Sequence, residues 1–201
     1  MVVDLNFDEH GLVPCVAQDA TSGEVLTLAY MNMEALRLTV ESGEVHFYSR
    51  SRERIWRKGE ESGNVLRLRQ LRYDCDGDAL VALVEPTGPA CHTGERSCFY
   101  RGLSELTPPA HEALAALERT LRSRAAERPE GSYTVQLLDD PRLIGEKVEE
   151  EAEEVVRAAR EESDQRVAEE AADVLYHLSV LLAAREVPQS AVMEVLNGRR
   201  R

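Results

Sequence analysis

Cysteine is scarce in this chain: four residues in 201. So few thiols in a long, acidic chain with no export signal weigh against a disulfide framework. Long apolar runs are missing as well. None approaches the roughly 18 residues that cross a membrane, so no membrane partner is expected. Where a signal peptide would carry a basic region followed by an apolar one, the N-terminus carries acids. The expected compartment is the cytoplasm, with reduced thiols. Net positive charge is lacking too: the formal charge is −13 at pH 7, which argues against general nucleic-acid binding. Hydrophobic residues make up 43% of the chain, enough for one globular core or two small ones.

What charge there is falls unevenly. Residues 50–72 hold eight basic side chains (Arg50, Arg52, Arg54, Arg57, Lys58, Arg67, Arg69, Arg72) against three acids. This island reads either as a phosphate-binding surface or as a solvated strand face. Residues 146–173 reverse the balance, with twelve acids and four bases. So dense a set of carboxylates repels itself unless water or cations screen it.

Three of the four cysteines and three alternating carboxylates crowd into residues 74–98. Asp74-Cys75-Asp76-Gly77-Asp78 comes first, then Cys91-His92-Thr93-Gly94-Glu95-Arg96-Ser97-Cys98. Thiolates suit a borderline-soft ion such as zinc; carboxylates suit a hard one such as magnesium. On an extended strand Asp74, Asp76 and Asp78 would share one face and Cys75 the other. A calcium loop is disfavoured, because its sixth position would be Ala79 where the turn needs glycine. A closed structural zinc site wants four protein ligands. Three clustered cysteines leave a position open, as in catalytic sites. Cys15, remote and in an apolar stretch, reads as a buried thiol.

Before residues 103–109 the pattern is strand-like: residues 11–17, 25–30, 45–49, 65–69 and 79–84, separated by turn pairs such as Ser22-Gly23 and Ser42-Gly43. One helix fits 32–42, with Asn32 as N-cap. Beyond the boundary Thr107 can cap a helix that tolerates Pro108 and Pro109 in its first turn. Long helices are expected at 140–161 and 163–186, and a short one from Pro188. The expected fold is a strand-rich α+β domain, residues 1–105, followed by an all-α domain, residues 106–201.

Helical spacing puts Glu151 and Glu154 on one face, lets Glu150 join Glu154, and pairs Glu170 with Asp173. If the two long helices pack antiparallel, four carboxylates meet across a groove. They form either a magnesium site or a wet acidic face. Apolar neighbours (Val148, Ala152 and Val155; Ala171, Val174 and Leu175) favour the groove.

Residues 31–99 resemble phosphoribosyl-AMP cyclohydrolase. The marks are Met31-Asn32-Met33-Glu34-Ala35-Leu36, Ser49-Arg50-Ser51-Arg52, Trp56-Arg57-Lys58-Gly59-Glu60-Glu61-Ser62-Gly63-Asn64, and the two cysteine motifs above. Residues 114–199 resemble phosphoribosyl-ATP pyrophosphatase, a relative of the MazG-like all-α pyrophosphohydrolases. The marks there are Gly131-Ser132-Tyr133-Thr134, Lys147 through Glu154, and Glu169 through His177. Glu149 departs from the family, which often has glycine there.

The resemblance implies two hydrolyses in histidine biosynthesis. The second domain releases pyrophosphate from phosphoribosyl-ATP using magnesium. The first uses zinc to activate the water that opens the adenine ring of phosphoribosyl-AMP between N1 and C6. It implies zinc on Cys75, Cys91 and Cys98, shared between the chains of a homodimer, and magnesium on Asp74, Asp76 and Asp78. A second magnesium site falls to Glu151, Glu154, Glu170 and Asp173, with Glu150 beside them. His92 either carries protons or hydrogen-bonds nearby, while His46 and His177 fit packing or capping. Arg50, Arg52 and Lys58 are candidates for substrate phosphates. Lys147 is a phosphate contact or an ordinary surface lysine. Trp56, the single tryptophan, stacks on the purine or belongs to the core.

Overall fold

The computed structural model describes residues 5–200; Asp4, one of the N-terminal acids, and Arg201 lie outside them. The chain divides into two compact units, one up to Glu112 and one from Ala113.

The first unit is a curled mixed sheet with one helix. Its elements are β1 (Val13–Asp19), β2 (Val25–Met31), α1 (Met33–Ser42), β3 (His46–Ser49), β4 (Arg54–Arg57), β5 (Leu66–Tyr73) and β6 (Leu80–Pro86). The strand order is β4-β3-β2-β1-β6-β5. Every pairing is antiparallel except that of β1 with β6, which run parallel from Cys15 opposite Leu80 to Asp19 opposite Val84. Period-two alternation fixes the core face. Val13, Cys15 and Ala17 of β1 are fully buried, as are Ala82 and Val84 of β6, against Leu26, Phe47 and Leu66. Helix α1 starts where Asn32 Oδ1 accepts from the Ala35 amide at 2.8 Å, and it stops at Gly43.

The second unit is all helical: α2 (Ala113–Glu127), α3 (Tyr133–Asp139), α4 (Pro141–Glu161), α5 (Asp164–Ala184) and α6 (Gln189–Gly198). Asp140 caps α4 by accepting from the amides of Arg142 and Leu143, both at 3.1 Å, with Pro141 in the first turn. Ser163 caps α5. Only two residues separate α4 from α5, so the pair forms a helical hairpin. Leu121, Leu137, Ile144 and Val180 make the buried core. Among the described residues, no helix is long and apolar enough to cross a membrane.

Four sequence expectations change. Thr107 caps nothing: a single 3₁₀ turn at Ala110–Glu112 precedes α2, and residues 103–109 are in neither helix nor strand. The two prolines end the extended segment rather than open the helix. Strand β4 lies inside the basic island, where charge hid its alternation. Helix α3 is only seven residues, too short to declare a period. Asp74 to Asp78 form a turn between β5 and β6, not a strand.

Candidate functional site

In the first unit a cleft of about 630 Å³ brings basic residues from the turns either side of β4 to the cysteine loop. Arg52, Trp56, Lys58, Cys91, His92 and Cys98 line it, with Thr27, Ser49 and Glu61. Trp56 is half-buried, its ring 5.5 Å from that of Phe47, and it also faces the cleft. Packing thus presets its orientation. The Lys58 ammonium stands 6.0 Å from the Trp56 ring centre. The loop following Lys58 folds tightly because Gly59, at φ +89°, lets the chain close on Asn64; a Cβ there would come within 2.4 Å of the Asn64 carbonyl oxygen. Arg50 lies outside the lining, its guanidinium 4.0 Å over the Tyr30 ring.

The loop carrying the two thiols is anchored at several points. Cys98 N–H donates to the Leu26 carbonyl at 2.8 Å, and the Ser97 hydroxyl donates to the Val25 carbonyl at 2.7 Å. Between the cysteines, the Arg96 guanidinium bonds to both Asp19 and Glu24. The two thiols differ. The Thr93 hydroxyl donates to Cys91 Sγ at 3.1 Å and holds that thiol below its ordinary value, and Cys98 adds to the lowering. Cys98 is exposed as a residue, yet desolvation at its sulfur pushes its thiol up, and the Cys91 charge adds to this. One member of the pair is therefore predisposed to be a thiolate. His92 Nδ1 lies 3.9 Å from Cys91 Sγ.

Asp74, Asp76 and Asp78 bring carboxylate oxygens within 4.8 Å of one another. Chain reversal does this, not strand alternation. Asp74 Oδ1 accepts from the amides of Asp78 at 3.0 Å and Ala79 at 3.1 Å, and Gly77 takes φ +76°. Desolvation pushes Asp74 up, but those amides together with hydrogen bonds from the Asp78 and Asp76 carboxyls outweigh it and hold the group low. Asp78 is raised by its hydrogen bond with Asp74 and by the charge of Asp76. Crowded like charges of this kind favour a cation. Cys75, exposed, has its Sγ 3.9 Å from Asp76 Oδ1.

Among the described residues, one other group of metal-ligating side chains converges to 4.8 Å: Glu151 from α4 with Glu170 and Asp173 from α5. Glu170 is buried and paired with Arg166. Glu154 faces the same way as Glu151 but is engaged by Arg157, one bond being 2.9 Å. Glu150 is exposed and bound to Lys147 at 2.6 Å, and that contact raises the Lys147 ammonium above its ordinary value. The buried His177 lies alongside, with Nδ1 3.8 Å from Glu151 Oε1 and Nε2 3.2 Å from the Tyr133 hydroxyl.

Residues 27–100 match the family model described as phosphoribosyl-AMP cyclohydrolase, and residues 114–200 the one described as phosphoribosyl-ATP pyrophosphohydrolase. The histidine biosynthesis bifunctional protein HisIE of Bacillus subtilis is 49% identical over 198 residues, covering 98% of this chain and 95% of its own. That of Halalkalibacterium halodurans is 48% identical over 205 residues, 100% and 97% of the two chains. That of Pyrococcus furiosus is 46% identical over 208 residues, 100% and 98%. The chain belongs to the bifunctional HisIE family. It is a phosphoribosyl-AMP cyclohydrolase and phosphoribosyl-ATP pyrophosphohydrolase of histidine biosynthesis, and its substrates are phosphoribosyl-ATP and phosphoribosyl-AMP.

Against that HisIE background, the fold gathers most of the residues named from sequence, in partial groups. Cys91, Cys98, His92, Arg52, Trp56 and Lys58 share the cleft, while Cys75 and Arg50 stand outside its lining. The three thiols form no common ligand group within this chain. Glu151, Glu170 and Asp173 converge; Glu154 and Glu150 are held by cations of their own helix. Two contributors escaped the sequence reading. Thr93 stood within a quoted motif, and its hydroxyl two residues from Cys91 was the available signal. Arg96 acts through Asp19 and Glu24, partners distant in sequence, which no local pattern reports; His177, expected to pack or cap, is buried, and its contact with Tyr133 is likewise long-range.

Proposed function

We propose that the two reactions are divided between the units and carried by distinct metals. Residues 106–201 release pyrophosphate from phosphoribosyl-ATP, and residues 1–105 open the ring of the resulting phosphoribosyl-AMP. The observation that carries the second assignment is the cleft itself, where two adjacent thiols face basic side chains across a space of nucleotide size. The donor set fits zinc: the Cys91 thiol is already lowered, and a third sulfur, Cys75, is exposed and able to meet a neighbouring chain. We therefore assign Cys91 and Cys98 of one chain and Cys75 of a second copy as ligands of a homodimer. Zinc so held supplies Lewis acidity that makes a water nucleophilic near neutral pH.

Around that centre the chain's own residues orient the substrate. Arg52 and Lys58 meet phosphate oxygens, with Arg50 at the rim, and the Trp56 face receives the purine. Water oxygen adds to C6, the N1–C6 bond breaks, and C6 keeps the oxygen as a carboxamide carbonyl while N1 takes a proton. His92, next to Cys91 on the cleft wall, is placed to move that proton. Asp74, Asp76 and Asp78 form a hard-ion site, assigned to magnesium.

In the helical unit, Glu151, Glu170 and Asp173 crowd around a buried carboxylate, a set that fits magnesium. Glu154 joins once it leaves Arg157, with Glu150 next to it. Magnesium there supplies the charge that a triphosphate needs neutralised. Lys147, on the same face, reaches phosphate oxygens. Thiol ligands need a reducing compartment, and we assign the enzyme to the cytoplasm on that ground. The test is to supply phosphoribosyl-ATP and follow pyrophosphate release and ring opening separately, with zinc and magnesium chelated in turn. Turnover of free nucleoside triphosphates without ring opening would favour a housecleaning pyrophosphohydrolase instead.

A further inference from the structure

His177 is the one buried histidine of the helical unit, and three elements meet on its ring. Nδ1 lies 2.9 Å from the main-chain oxygen of Asp173, one turn earlier in α5. A carbonyl only accepts, so Nδ1 carries the proton. Nε2 is then the acceptor, and the Tyr133 hydroxyl of α3 donates to it at 3.2 Å. The same Nδ1–H edge faces Glu151 Oε1 of α4 at 3.8 Å. Among the described residues Glu151 forms no ion pair within its own helix, unlike Glu150 and Glu154, which Lys147 and Arg157 hold; Lys147 feels the Glu151 charge without bonding to it. Yet it is Glu151 that crosses to meet Glu170 and Asp173, against the repulsion of both.

We infer that His177 is a positioning residue for the pyrophosphohydrolase site: its Nδ1–H, bonded to the Asp173 carbonyl, presents a positive edge that attracts Glu151 across 3.8 Å and favours its place in the converging group, and the Tyr133 hydroxyl fixes the tautomer that does so. This rests on the reading of that group as a magnesium site. Histidine fits because it offers a donor on one edge and an acceptor on the other from a single rigid ring. The burial of the ring keeps water from screening the contact. A partner that orients a ligating carboxylate in this way typically changes metal affinity by roughly 10–100-fold when removed.

The two ring nitrogens can be tested apart. Asparagine places its amide nitrogen where Nδ1 was, and glutamine reaches to where Nε2 was. Full-length protein with Asp74, Asp76 and Asp78 each replaced by asparagine, which leaves one hard-ion group among the described residues, is titrated with Mn²⁺ alone with His177 intact (the parent), with His177→Asn and with His177→Gln. Free ion is followed by electron paramagnetic resonance without substrate; the two rates are then read on the same His177 variants without the aspartate changes. His177→Asn should bind Mn²⁺ within about threefold of the parent, and His177→Gln roughly tenfold more weakly. Pyrophosphate release should fall in the same order, while ring opening in the same molecules stays unchanged. Equal Mn²⁺ affinity in both variants, or equal loss in both, overturns the inference. If the parent itself binds no Mn²⁺ at this group, the magnesium reading has failed instead. A measurement on the parent covers the case in which a His177 variant fails to fold. ¹⁵N-histidine spectra should show Nδ1 protonated and its signal moving on Mg²⁺ addition; a signal that ignores Mg²⁺ while the ion binds refutes the proposal.

Discussion

Arg96→Met should destabilise the N-terminal unit and disable the thiol loop at once. The Arg96 side chain is 31% exposed and, among the described residues, is the only cation on Asp19 and Glu24, whose side chains are 6% and 15% exposed. Removing it leaves two carboxylates with little water around them. Breaking a buried pair from one side costs about 3–5 kcal/mol. Two features reduce this. Asp19 Oδ1 still accepts from the amides of Thr21 at 2.8 Å and Ser22 at 3.1 Å. A third of the arginine also lies in water, which screens the original attraction. A loss of about 2–3 kcal/mol is expected. In a unit of this size each kcal/mol lowers the transition by roughly 4–8 °C, so the shift should be on the order of 8–24 °C. Trp56, the only tryptophan, sits against the core of this unit, and its fluorescence reports this unit directly. Helical circular dichroism reports chiefly on the other. Denaturation should therefore show the tryptophan transition falling and the helical one holding, with ring opening lost and pyrophosphate release kept. Adding Asp19→Asn and Glu24→Gln to Arg96→Met should recover part of the stability, because no unpaired charge then remains. A loss below about 0.5 kcal/mol, the range of ordinary surface changes, would refute the clamp.

Cys91→Ser and Cys98→Ser should each abolish ring opening and bound zinc, since a hydroxyl replaces a thiolate poorly on a borderline-soft ion. Metal content with both rates measured on folded protein decides it, and Cys15→Ser should keep the metal. Burial pushes the Cys15 thiol up to about 12, so it stays protonated across the working range. Alkylation of folded, metal-free protein at mildly alkaline pH should then label the exposed Cys75 and spare Cys15 until denaturant is added; prompt labelling of Cys15 counts against its burial. Asp173→Asn should cut pyrophosphate release by roughly 10²-fold if charge stabilisation dominates and leave ring opening intact. Unchanged rates across a magnesium series would return the acidic group to a solvated face. Expressed apart, residues 1–112 and 113–201 should each keep one reaction; two folded, normally associated fragments without either activity would show the sites to be interdependent.

Legibility followed locality. Asn32 and Ser42-Gly43 announce both ends of α1, because caps and left-handed turns are chemistry of adjacent residues. The alternation in β1 and β6 was readable for the same reason. Strand β4 was not, since Arg54 and Arg57 sit on exposed positions and mask a four-residue pattern. The aspartate triplet converges, though not on the strand its spacing suggests. Alternate spacing signals a strand, whereas Asp74 capping the amides of Asp78 and Ala79 makes a turn that gathers the same carboxylates. Helical spacing assigns Glu151 and Glu154 to one face but does not say that Arg157 engages Glu154 while Glu151 alone converges with Glu170 and Asp173, near His177. Those choices, like the Arg96 clamp, depend on long-range packing, which carries no period.

The parallel pairing of β1 with β6 has a consequence in time. Strand β1 can zip to β2 as soon as both exist, yet its other edge has no partner until nearly the whole unit has been made. That edge, carrying Cys15 and Val16, stays open on the nascent chain while β3, β4 and β5 emerge, and closing so long a loop is slow. The helical unit relies on the α4–α5 hairpin, whose contacts are between neighbours in sequence, and it has no such wait. On dilution from denaturant the helical signal should return before the Trp56 environment does, and a chaperone that binds unpaired strand edges should engage this protein at residues 13–19.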